Sequence, residues 1–397
     1  MEKLFLKHRQ KIAITPLTFI RSLMDEIHWN DRLIGIKGGR GVGKTTLLLQ
    51  YIKKNFTPGK DNLYVSLDDV YFSGNSLTDF TEEFVMNGGK YLFLDEVHRY
   101  DKWSQSLKNI YDDYPDLKVV FTGSSVLDII QSKADLSRRA IVYKMKGLSF
   151  REYLLLTNKL NWSELSLNEI LENHELISME IAAKIKPVKE FKEYLKTGYY
   201  PFFQEYPETY HQRLEQVISL VLENDITALK PVNLEGVKKL KQLLYVLSTS
   251  VPFKPNISKL AEKTGISRNS LVQYLHYLDE AEVLSLLFRD TAGISVLQKP
   301  EKVYFENPNL AYTLGNDNTE PGNLRETFFI NQVAVKNQIS YTEKGDFKVN
   351  DRYVFEVGGK NKSQSQLKNI DNAWLALDDI EYGFQNKIPL WLLGFLY

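Results

Sequence analysis

Short apolar runs alternate with longer stretches of helical pattern in the first part of the chain. Five runs of branched aliphatic and aromatic residues are typical of strands; they are residues 33–36, 63–67, 91–94, 119–121 and 141–143. Because strands that alternate with helices form a parallel sheet covered by helices on both faces, residues 32–150 are predicted to form an α/β domain.

The pattern changes after residue 150. Residues 151–229 have a helical pattern, typical of a lid or linker region. Residues 234–290 predict three short helices and a strand, and the turn at Gly265 before the N-cap residue Ser267 indicates a helix-turn-helix. Beyond Lys299 strands return around one helix, which predicts a small α/β domain.

Length and composition narrow the class of protein. The 397 residues allow two to four domains at about 100 to 200 residues each. The chain has no cysteine, which excludes disulfide scaffolds, cysteine nucleophiles, thiolate zinc sites and iron–sulfur clusters and fits a reducing, intracellular location. Its 50 basic and 50 acidic side chains balance, which argues against a strongly basic nucleic-acid binder.

The terminal segments predict no membrane insertion. Charge is spread through the first residues, so a secretory signal is not expected. The apolar run at residues 388–397 is far shorter than the roughly 20 residues of a spanning helix and contains Pro389 and Gly394. We expect a buried terminal strand there, and a cytoplasmic protein with no membrane partner.

A glycine-rich loop follows the first predicted strand and precedes a helical run. It matches G-x-x-x-x-G-K-[ST] in the strand-loop-helix context of a phosphate-binding loop, in which glycines allow a tight turn and backbone N–H groups wrap phosphate oxygens. Lys44 would neutralise the β- and γ-phosphates, and Thr45 would bind Mg²⁺. The predicted nucleotide-binding residues are Gly38, Gly39, Arg40, Gly41, Val42, Gly43, Lys44, Thr45 and Thr46.

The third predicted strand ends in two carboxylates, Asp95 and Glu96, and the carboxyl end of a parallel strand lies in the ligand crevice. We expect Asp95 to hold Mg²⁺, directly or through water, and Glu96 to polarise the water that attacks the γ-phosphate. His98 either donates a hydrogen bond near the nucleotide or caps a surface helix. ATP is favoured over GTP because no N-K-x-D-like motif for reading guanine lies at a suitable place.

Four motifs together resemble the AAA+-type P-loop ATPases of bacteria and archaea whose carboxyl half carries a winged helix and a PD-(D/E)xK nuclease-like domain. They are GGRGVGKT at 38–45, YLFLDE at 91–96, VVFTGSS at 119–125 and GLSFREY at 147–153. The resemblance implies an α/β P-loop NTPase parallel sheet, a helical lid, a winged helix-turn-helix and a small C-terminal α/β nuclease-like domain. The predicted boundaries of these four parts are residues 1–158, 159–232, 233–298 and 299–397.

The same resemblance implies two further roles near the γ-phosphate. Thr122 or Ser124 would be the polar sensor on the neighbouring strand. Arg138 or Arg139 would meet phosphate in its own or a neighbouring subunit and stabilise charge on the transferring group. A solvated arginine pair, or an ion pair with Asp135, is the alternative.

Residues 257–287 resemble a winged helix, a module that binds DNA in some proteins and only contacts other proteins in many. Five basic and five acidic residues lie between positions 254 and 290, whereas a helix that enters a DNA groove usually carries an excess of positive charge. Its second helix offers chiefly Arg268, Asn269, Gln273 and His276. DNA contact through this module therefore stays open beside a protein-binding role.

The last region resembles the PD-(D/E)xK nuclease fold, in which acidic residues gather around Mg²⁺. Glu326, Asp346 and Glu356 match by position. The lysine expected two residues after Glu356 is Gly358, so Lys360 would need an irregular backbone to reach the site. We therefore expect a scaffold or binding role rather than nuclease activity.

The sequence thus predicts an ATPase that binds and hydrolyses ATP with Mg²⁺ and couples its nucleotide state to binding of an unidentified protein partner by the C-terminal half. One alternative is an ATP-gated nucleic-acid effector with a Mg²⁺-dependent nuclease domain. Another is a regulator in which hydrolysis changes protein contacts and neither C-terminal module touches nucleic acid. Assembly into a homo-oligomer is also open.

Overall fold

The computed structural model describes residues 1–57, 59–126, 136–248, 255–289, 299–315, 320–363, 367 and 370–397. The chain divides into two compact units, Met1–Lys146 and Gly147–Tyr397. Each unit has its own hydrophobic core.

A five-stranded, all-parallel sheet forms the centre of the first unit, as the sequence predicts. The strands are β1 (Leu33–Gly38), β2 (Asn62–Ser66), β3 (Tyr91–Asp95), β4 (Lys118–Ser124) and β5 (Ile141–Lys144). Their order across the sheet is β2-β3-β4-β1-β5. Since β4 lies between β1 and β3, the carboxyl ends of these three strands meet at one edge of the sheet.

Helices cover this sheet through apolar faces. They are α1 (Glu2–Ile14), α2 (Leu23–Glu26), α3 (Lys44–Asn55), α4 (Leu77–Met86) and α5 (Trp103–Asp113). Short 3₁₀ turns occupy Val70–Ser73 and Val97–Arg99. In the core, Leu63, Leu92 and Phe121 from the strands pack with Phe80 of α4 and Leu107 of α5.

Helix α1 packs beside the edge strand β2. The buried His8 accepts a hydrogen bond from the backbone N–H of Tyr64 through Nδ1, at 2.9 Å. Lys53 of α3 donates to the carbonyls of Ala13 and Thr15, at 3.0 and 2.7 Å, where the chain leaves α1. An edge strand presents N–H groups without a ladder partner, and here a buried imidazole supplies an acceptor for one of them.

Gly38 ends β1 at a place with no room for a side chain. A Cβ there would lie 2.2 Å from the backbone carbonyl oxygen of Met145, the residue after β5. The Met145 N–H donates to the carbonyl of Lys37 at 2.8 Å, which holds the two segments together. The sequence predicts Gly38 as one of the glycines that allow a tight turn, and the structure shows that close backbone packing requires glycine there.

Ten α-helices of the second unit lie in the described residues, and most precede its main sheet. They are α6 (Phe150–Leu156), α7 (Leu167–Ala182), α8 (Pro187–Thr197), α9 (Tyr210–Leu220), α10 (Thr227–Leu229), α11 (Leu234–Ser248), α12 (Ile257–Thr264), α13 (Arg268–Glu280), α14 (Pro308–Gly315) and α15 (Pro321–Val333). A π-helical segment, Val221–Ile226, joins α9 to α10. In the turn between α12 and α13, Gly265 has φ +62° and Ser267 caps α13 by accepting from Ser270 N–H at 3.2 Å.

Two sheets complete the second unit. An antiparallel pair, β6 (Leu284–Leu287) and β7 (Lys302–Phe305), follows α13. The other sheet has the order β12-β11-β10-β9-β8. Its strands are β8 (Ile339–Ser340), β9 (Phe347–Val349), β10 (Tyr353–Gly359), β11 (Ala373–Asp378) and β12 (Lys387–Pro389), of which β10, β11 and β12 are parallel.

The terminal segment is buried, but the prediction of one strand over residues 388–397 is wrong. The strand stops at Pro389, and a 3₁₀ helix follows at Leu390–Phe395. Proline has no N–H to continue a ladder. The tighter helical turn then buries Trp391 and Phe395 in the core of the second unit.

Helices α6 to α8 share one core with the C-terminal sheet. Phe150 of α6 packs edge-on against Phe395, and Phe191 of α8 packs edge-on against Phe328 of α15 with ring centres 4.6 Å apart. The division of the chain after Lys146 therefore differs from the predicted domain boundary at residue 158, since α6 is buried in the second unit.

The buried His8 makes the first unit sensitive to acid. Burial, with a smaller contribution from the charge of Arg9, lowers the pKa of His8 from 6.5 to about 4. The unfolded chain takes up this proton more easily, so the free energy of unfolding decreases as the pH falls below about 6.5 and stops decreasing near pH 4. The full shift corresponds to about 3 kcal/mol.

Urea unfolding at about pH 7.5 and pH 5 tests this prediction. The protein should lose more stability between the two values than its His8→Gln variant, whose amide oxygen can still accept from the Tyr64 N–H but does not titrate. His28→Gln is the matched control, because His28 is exposed. An equal loss in the protein and in His8→Gln would contradict the assignment.

Candidate functional site

The glycine-rich loop connects the end of β1 to the start of α3. Gly41 and Gly43 have φ values of +85° and +101°, in the left-handed region that glycine adopts without strain. Gly43 is the N-cap of α3. The first N–H groups of a helix have no acceptor within the helix and carry the positive end of its dipole. The loop therefore wraps around a point that favours an anion.

Lys44 lies within this loop. Its Nζ donates to the carbonyl oxygens of Gly38 and Gly39, at 2.8 and 2.9 Å, and the side chain is buried. These contacts hold the ammonium group where the loop curves, so it can neutralise phosphate oxygens bound by the loop.

A buried arginine that sequence reasoning missed supports the loop. Arg21 donates through Nη1 to the carbonyl of Val42 at 2.9 Å, and through Nη2 to the carbonyl of Lys146 at 2.8 Å. Arg21 lies between the first two helices and outside any motif, so no local signal marks it.

The carboxylate of Asp95 joins the loop to the neighbouring strands. Asp95 is buried at the end of β3, and three hydroxyl groups donate to it. Thr45 and Tyr64 reach Oδ2 at 2.8 and 2.7 Å, and Thr122 donates to Oδ1. The structure thus brings together Thr45, Asp95 and Thr122, three residues named in the sequence analysis, and adds Tyr64 from β2.

Tyr64 keeps its proton at physiological pH. Burial and then the negative charge of Asp95 raise the pKa of its phenol above the usual value of 10. The group is therefore a permanent O–H donor to the carboxylate.

Glu96 follows Asp95 with an unusual backbone. Its φ of +56° places it in the left-handed region, which costs a non-glycine residue about 1 kcal/mol or more. Its N–H donates to Thr122 Oγ1 at 3.1 Å. This turn leaves the carboxylate partly exposed, while Asp95 is buried.

His98 lies beside Glu96 in the interior and does not cap a surface helix. Its Nε2 is 3.3 Å from Glu96 Oε2, although this contact does not meet the geometry of a hydrogen bond. Its Nδ1 accepts from the backbone N–H of Ser124 at 3.3 Å. An imidazole that accepts at Nδ1 carries its proton on Nε2, so this proton is on the side of Glu96.

Arg139 pairs with Asp112, at the end of α5. Its Nε and Nη2 donate to the two carboxylate oxygens at 2.9 and 3.0 Å, and this interaction lowers the pKa of Asp112. Arg138 is exposed. The other partner considered from the sequence, Asp135, lies outside the described residues.

The loop and Asp95 fit a magnesium ion bound with a nucleotide. Among the residues described, no group of three or more His, Cys, Asp or Glu side chains could hold a metal by itself. Mg²⁺ needs no such cage, because it keeps several waters and binds one or two carboxylates together with substrate phosphates. Thr45 directs its hydrogen to Asp95, which leaves lone pairs of Oγ1 available to a cation.

A second group of acidic residues lies in the second unit. Lys302 donates to Glu326 at 2.9 Å and to Asp346 at 3.2 Å, and Tyr304 donates to Glu326 at 2.6 Å. The two carboxylates raise the pKa of Lys302 against the opposing effect of burial, so the ammonium stays charged. Two of the three acidic residues predicted for this site, Glu326 and Asp346, therefore share one lysine, Lys302.

The third member of this trio, Glu356, is fully buried on β10. Lys362 Nζ lies 3.0 Å from its Oε1. The aliphatic part of Lys362 covers Gly358, where a Cβ would be 2.7 Å from its carbons. The lysine that the structure places at Glu356 is thus Lys362, and not the Lys360 considered from the sequence.

Helices α12 and α13, which the sequence analysis assigns to a helix-turn-helix, present polar side chains at their starts. Asn256 and Ser258 of the first helix and Arg268 and Asn269 of the second line a shallow depression together with Lys299. No helix in the described part of the chain is long and apolar enough to cross a membrane.

Two family models match parts of the chain. Residues 30–154 match the AAA domain, and residues 188–320 match a domain of unknown function, DUF8612. An uncharacterized protein of Methanocaldococcus jannaschii is 28% identical in an alignment 390 positions long, which covers 89% of this chain and 82% of that protein.

Similar solved structures include the Aeropyrum pernix ORC1 protein in complex with DNA, with 12% identity, 79% of this chain and 92% of that chain covered, and a TM-score of 0.33. AMPPCP-bound DnaA from Aquifex aeolicus is 16% identical, with 65% and 84% covered and a TM-score of 0.27. At these TM-scores neither likeness carries an argument. The AAA match spans the parallel sheet, the loop and Asp95, and with their geometry it supports an AAA-type P-loop ATPase domain over residues 30–154.

Proposed function

We propose that the first unit binds ATP with Mg²⁺ and hydrolyses it. The observation that carries this proposal is the hydrogen bond of 2.8 Å between Thr45 Oγ1 and Asp95 Oδ2. It joins two motifs that are far apart in the sequence at the point where a phosphate-bound cation would lie. The match of residues 30–154 to the AAA domain supports the same class of activity.

The residues of the loop bind and orient the phosphates. Backbone N–H groups of residues 39–46 and the Lys44 ammonium hold the phosphate chain, while Thr45 and Asp95 hold the cation. Bound Mg²⁺ would supply positive charge against the negative charge of the phosphates. Arg21 holds the carbonyl of Val42, and Gly38 packs closely against the backbone of Met145. The donors of the loop are therefore aligned before the nucleotide binds.

Glu96 is placed to accept a proton from the attacking water. Its carboxylate is partly exposed beyond the buried Asp95, and His98 Nε2 lies 3.3 Å from it. Thr122 contacts both the Asp95 side chain and the Glu96 N–H, so it joins the cation site to the base. Either Thr122 or Ser124 remains the proposed γ-phosphate sensor, and Arg139 a proposed arginine finger.

Substitutions of Lys44 and Glu96 test this assignment. Lys44→Ala should abolish binding of a fluorescent ATP analogue, whereas the exposed Lys54→Ala on the same helix should bind normally. Glu96→Gln should keep ATP bound and lower kcat by about 10² to 10⁴-fold, because it keeps the shape but cannot take the proton. Normal turnover in Glu96→Gln would remove the base from the mechanism.

We further propose that the nucleotide state of the first unit controls partner binding by residues 147–397. Arg21 supports this proposal, because one guanidinium holds both Val42 of the loop and Lys146, the last residue of the first unit. A change in the loop on nucleotide binding would therefore act on Lys146, from which the chain continues into the second unit.

Hydrogen exchange of the full chain tests this coupling. In Glu96→Gln, addition of ATP and Mg²⁺ should change the exchange rates of peptides within residues 147–397, while Lys44→Ala under the same conditions should show no change. If ATP protects only peptides of residues 1–146 in Glu96→Gln, the coupling proposal is wrong although ATP binding stands.

The second candidate function is an ATP-gated nucleic-acid effector. The observation that favours it is the acidic group of the second unit, where Lys362 lies at Glu356 although the expected position is Gly358. DNA contact through the helix-turn-helix would bring phosphates to Arg268 and Lys299. A regulator that contacts only proteins, and assembly into a homo-oligomer, remain alternatives.

A double substitution separates these functions. We expect no Mg²⁺-dependent DNA cleavage by the unmodified protein. If it does cleave DNA, and Glu326→Gln/Asp346→Asn loses this cleavage but keeps its ATPase activity, the result would favour the effector. Because Lys302 then loses both charged partners, a lower melting temperature is also expected. Glu320→Gln, exposed at the start of the same helix, is the control. If the unmodified protein and Glu320→Gln cleave DNA and the double variant does not, our preference for a partner-binding role over a nuclease role is wrong.

A further inference from the structure

The phenol of Tyr64 contacts the same carboxylate oxygen as the loop threonine. Tyr64 OH lies 2.7 Å from Asp95 Oδ2, and Thr45 Oγ1 lies 2.8 Å from it. The Tyr64 side chain is buried, and its strand β2 pairs with β3 so that Ser66 is opposite Asp95. The phenol therefore reaches Asp95 from the neighbouring strand, beside the metal-binding edge of the carboxylate.

Helix α1 holds the other side of this phenol. Lys11 Nζ donates to Tyr64 OH at 3.2 Å and lies 4.8 Å from the centre of the ring. The imidazole of His8, on the same helix, accepts the Tyr64 backbone N–H. Two side chains of α1 thus fix the main chain and the side chain of one residue, which in turn contacts Asp95.

We propose that Tyr64 is a positioning residue for the magnesium site, and that α1 is part of this site through Lys11. The phenol O–H holds Asp95 Oδ2 in one orientation, and Lys11 holds the phenol oxygen so that its hydrogen points to Asp95. This inference rests on the proposed ATPase function. It extends the site beyond residues 30–154, to a helix that precedes the AAA match.

The hydrogen bond from Tyr64 sets the orientation of the Asp95 carboxylate. Without the hydroxyl hydrogen of Tyr64, Asp95 Oδ2 accepts a hydrogen bond only from Thr45. The Thr45 hydroxyl must also bind the cation. Groups that orient a metal ligand typically change metal affinity by about 10 to 100-fold when they are removed. Tyr64→Phe removes the O–H and keeps the ring that packs in the interior.

The test is a magnesium titration of the full chain. For Tyr64→Phe, the Mg²⁺ concentration that gives half-maximal turnover should rise about 10-fold or more, with most of kcat recovered at saturating Mg²⁺. Binding of a fluorescent ATP analogue in EDTA should not change. A purely structural role would lower the melting temperature and the active fraction, but it would not shift the Mg²⁺ dependence.

Two further variants make the result specific. Tyr91→Phe changes a tyrosine at the opposite end of β3 from Asp95 and should leave the Mg²⁺ titration unchanged. Lys11→Met should shift the titration in the same direction as Tyr64→Phe but less. Combining the two should add little, because both act through one hydrogen bond. Lys11→Met also tests the proposal if Tyr64→Phe does not fold.

The outcomes separate this inference from the function on which it rests. If the unmodified protein does not bind nucleotide, or if its turnover of ATP is absent or does not depend on Mg²⁺, the proposed ATPase function fails. If the unmodified protein depends on Mg²⁺ and both Tyr64→Phe and Lys11→Met follow the same curve, only the positioning role is wrong.

Discussion

A buried carboxylate with three hydroxyl donors organises the first unit. Removing an ionised carboxylate from water costs several kcal/mol unless hydrogen bonds replace its hydration. For Asp95 those bonds come from Thr45 on α3, Tyr64 on β2 and Thr122 on β4. Each hydrogen bond to a charged group contributes about 1.5–3 kcal/mol, and each donor sits on a different element. The carboxylate is therefore stable only when the sheet has its final strand order and the loop is closed.

Local pattern predicts the strands and the loop of the first unit, because both depend on residues that are neighbours in the sequence. Contacts made across the sheet cannot be predicted from local pattern, because they join residues that are far apart in the sequence. Tyr64 lies 31 residues before Asp95, and Arg21 lies 21 residues before Val42. Neither belongs to a motif, and their roles arise only once β2 lies beside β3 and the first helices pack on the loop. For His98 the motif gives proximity to Glu96, but its burial depends on β4.

The second unit shows the same division between local and long-range information. Ser267 as a helix cap follows from short-range pattern, and so does a helix predicted near residues 323–337, which the structure has at Pro321–Val333. The end of β12 at Pro389 does not, because the apolar run continues and only the packing of Trp391 and Phe395 selects a 3₁₀ helix. Lys362 reaches Glu356 because Gly358 leaves space for its carbons. A search for a lysine at fixed spacing cannot find this contact.

The backbone around Met145 and Lys146 has a consequence for any shortened version of this protein. The Met145 carbonyl packs on Gly38, and the Lys146 carbonyl accepts from the guanidinium that also holds Val42. A fragment that ended with strand β5 would contain the entire loop sequence and still lack two of the groups that shape it. The smallest fragment with an intact phosphate-binding loop therefore extends through Lys146, beyond the last strand of its sheet.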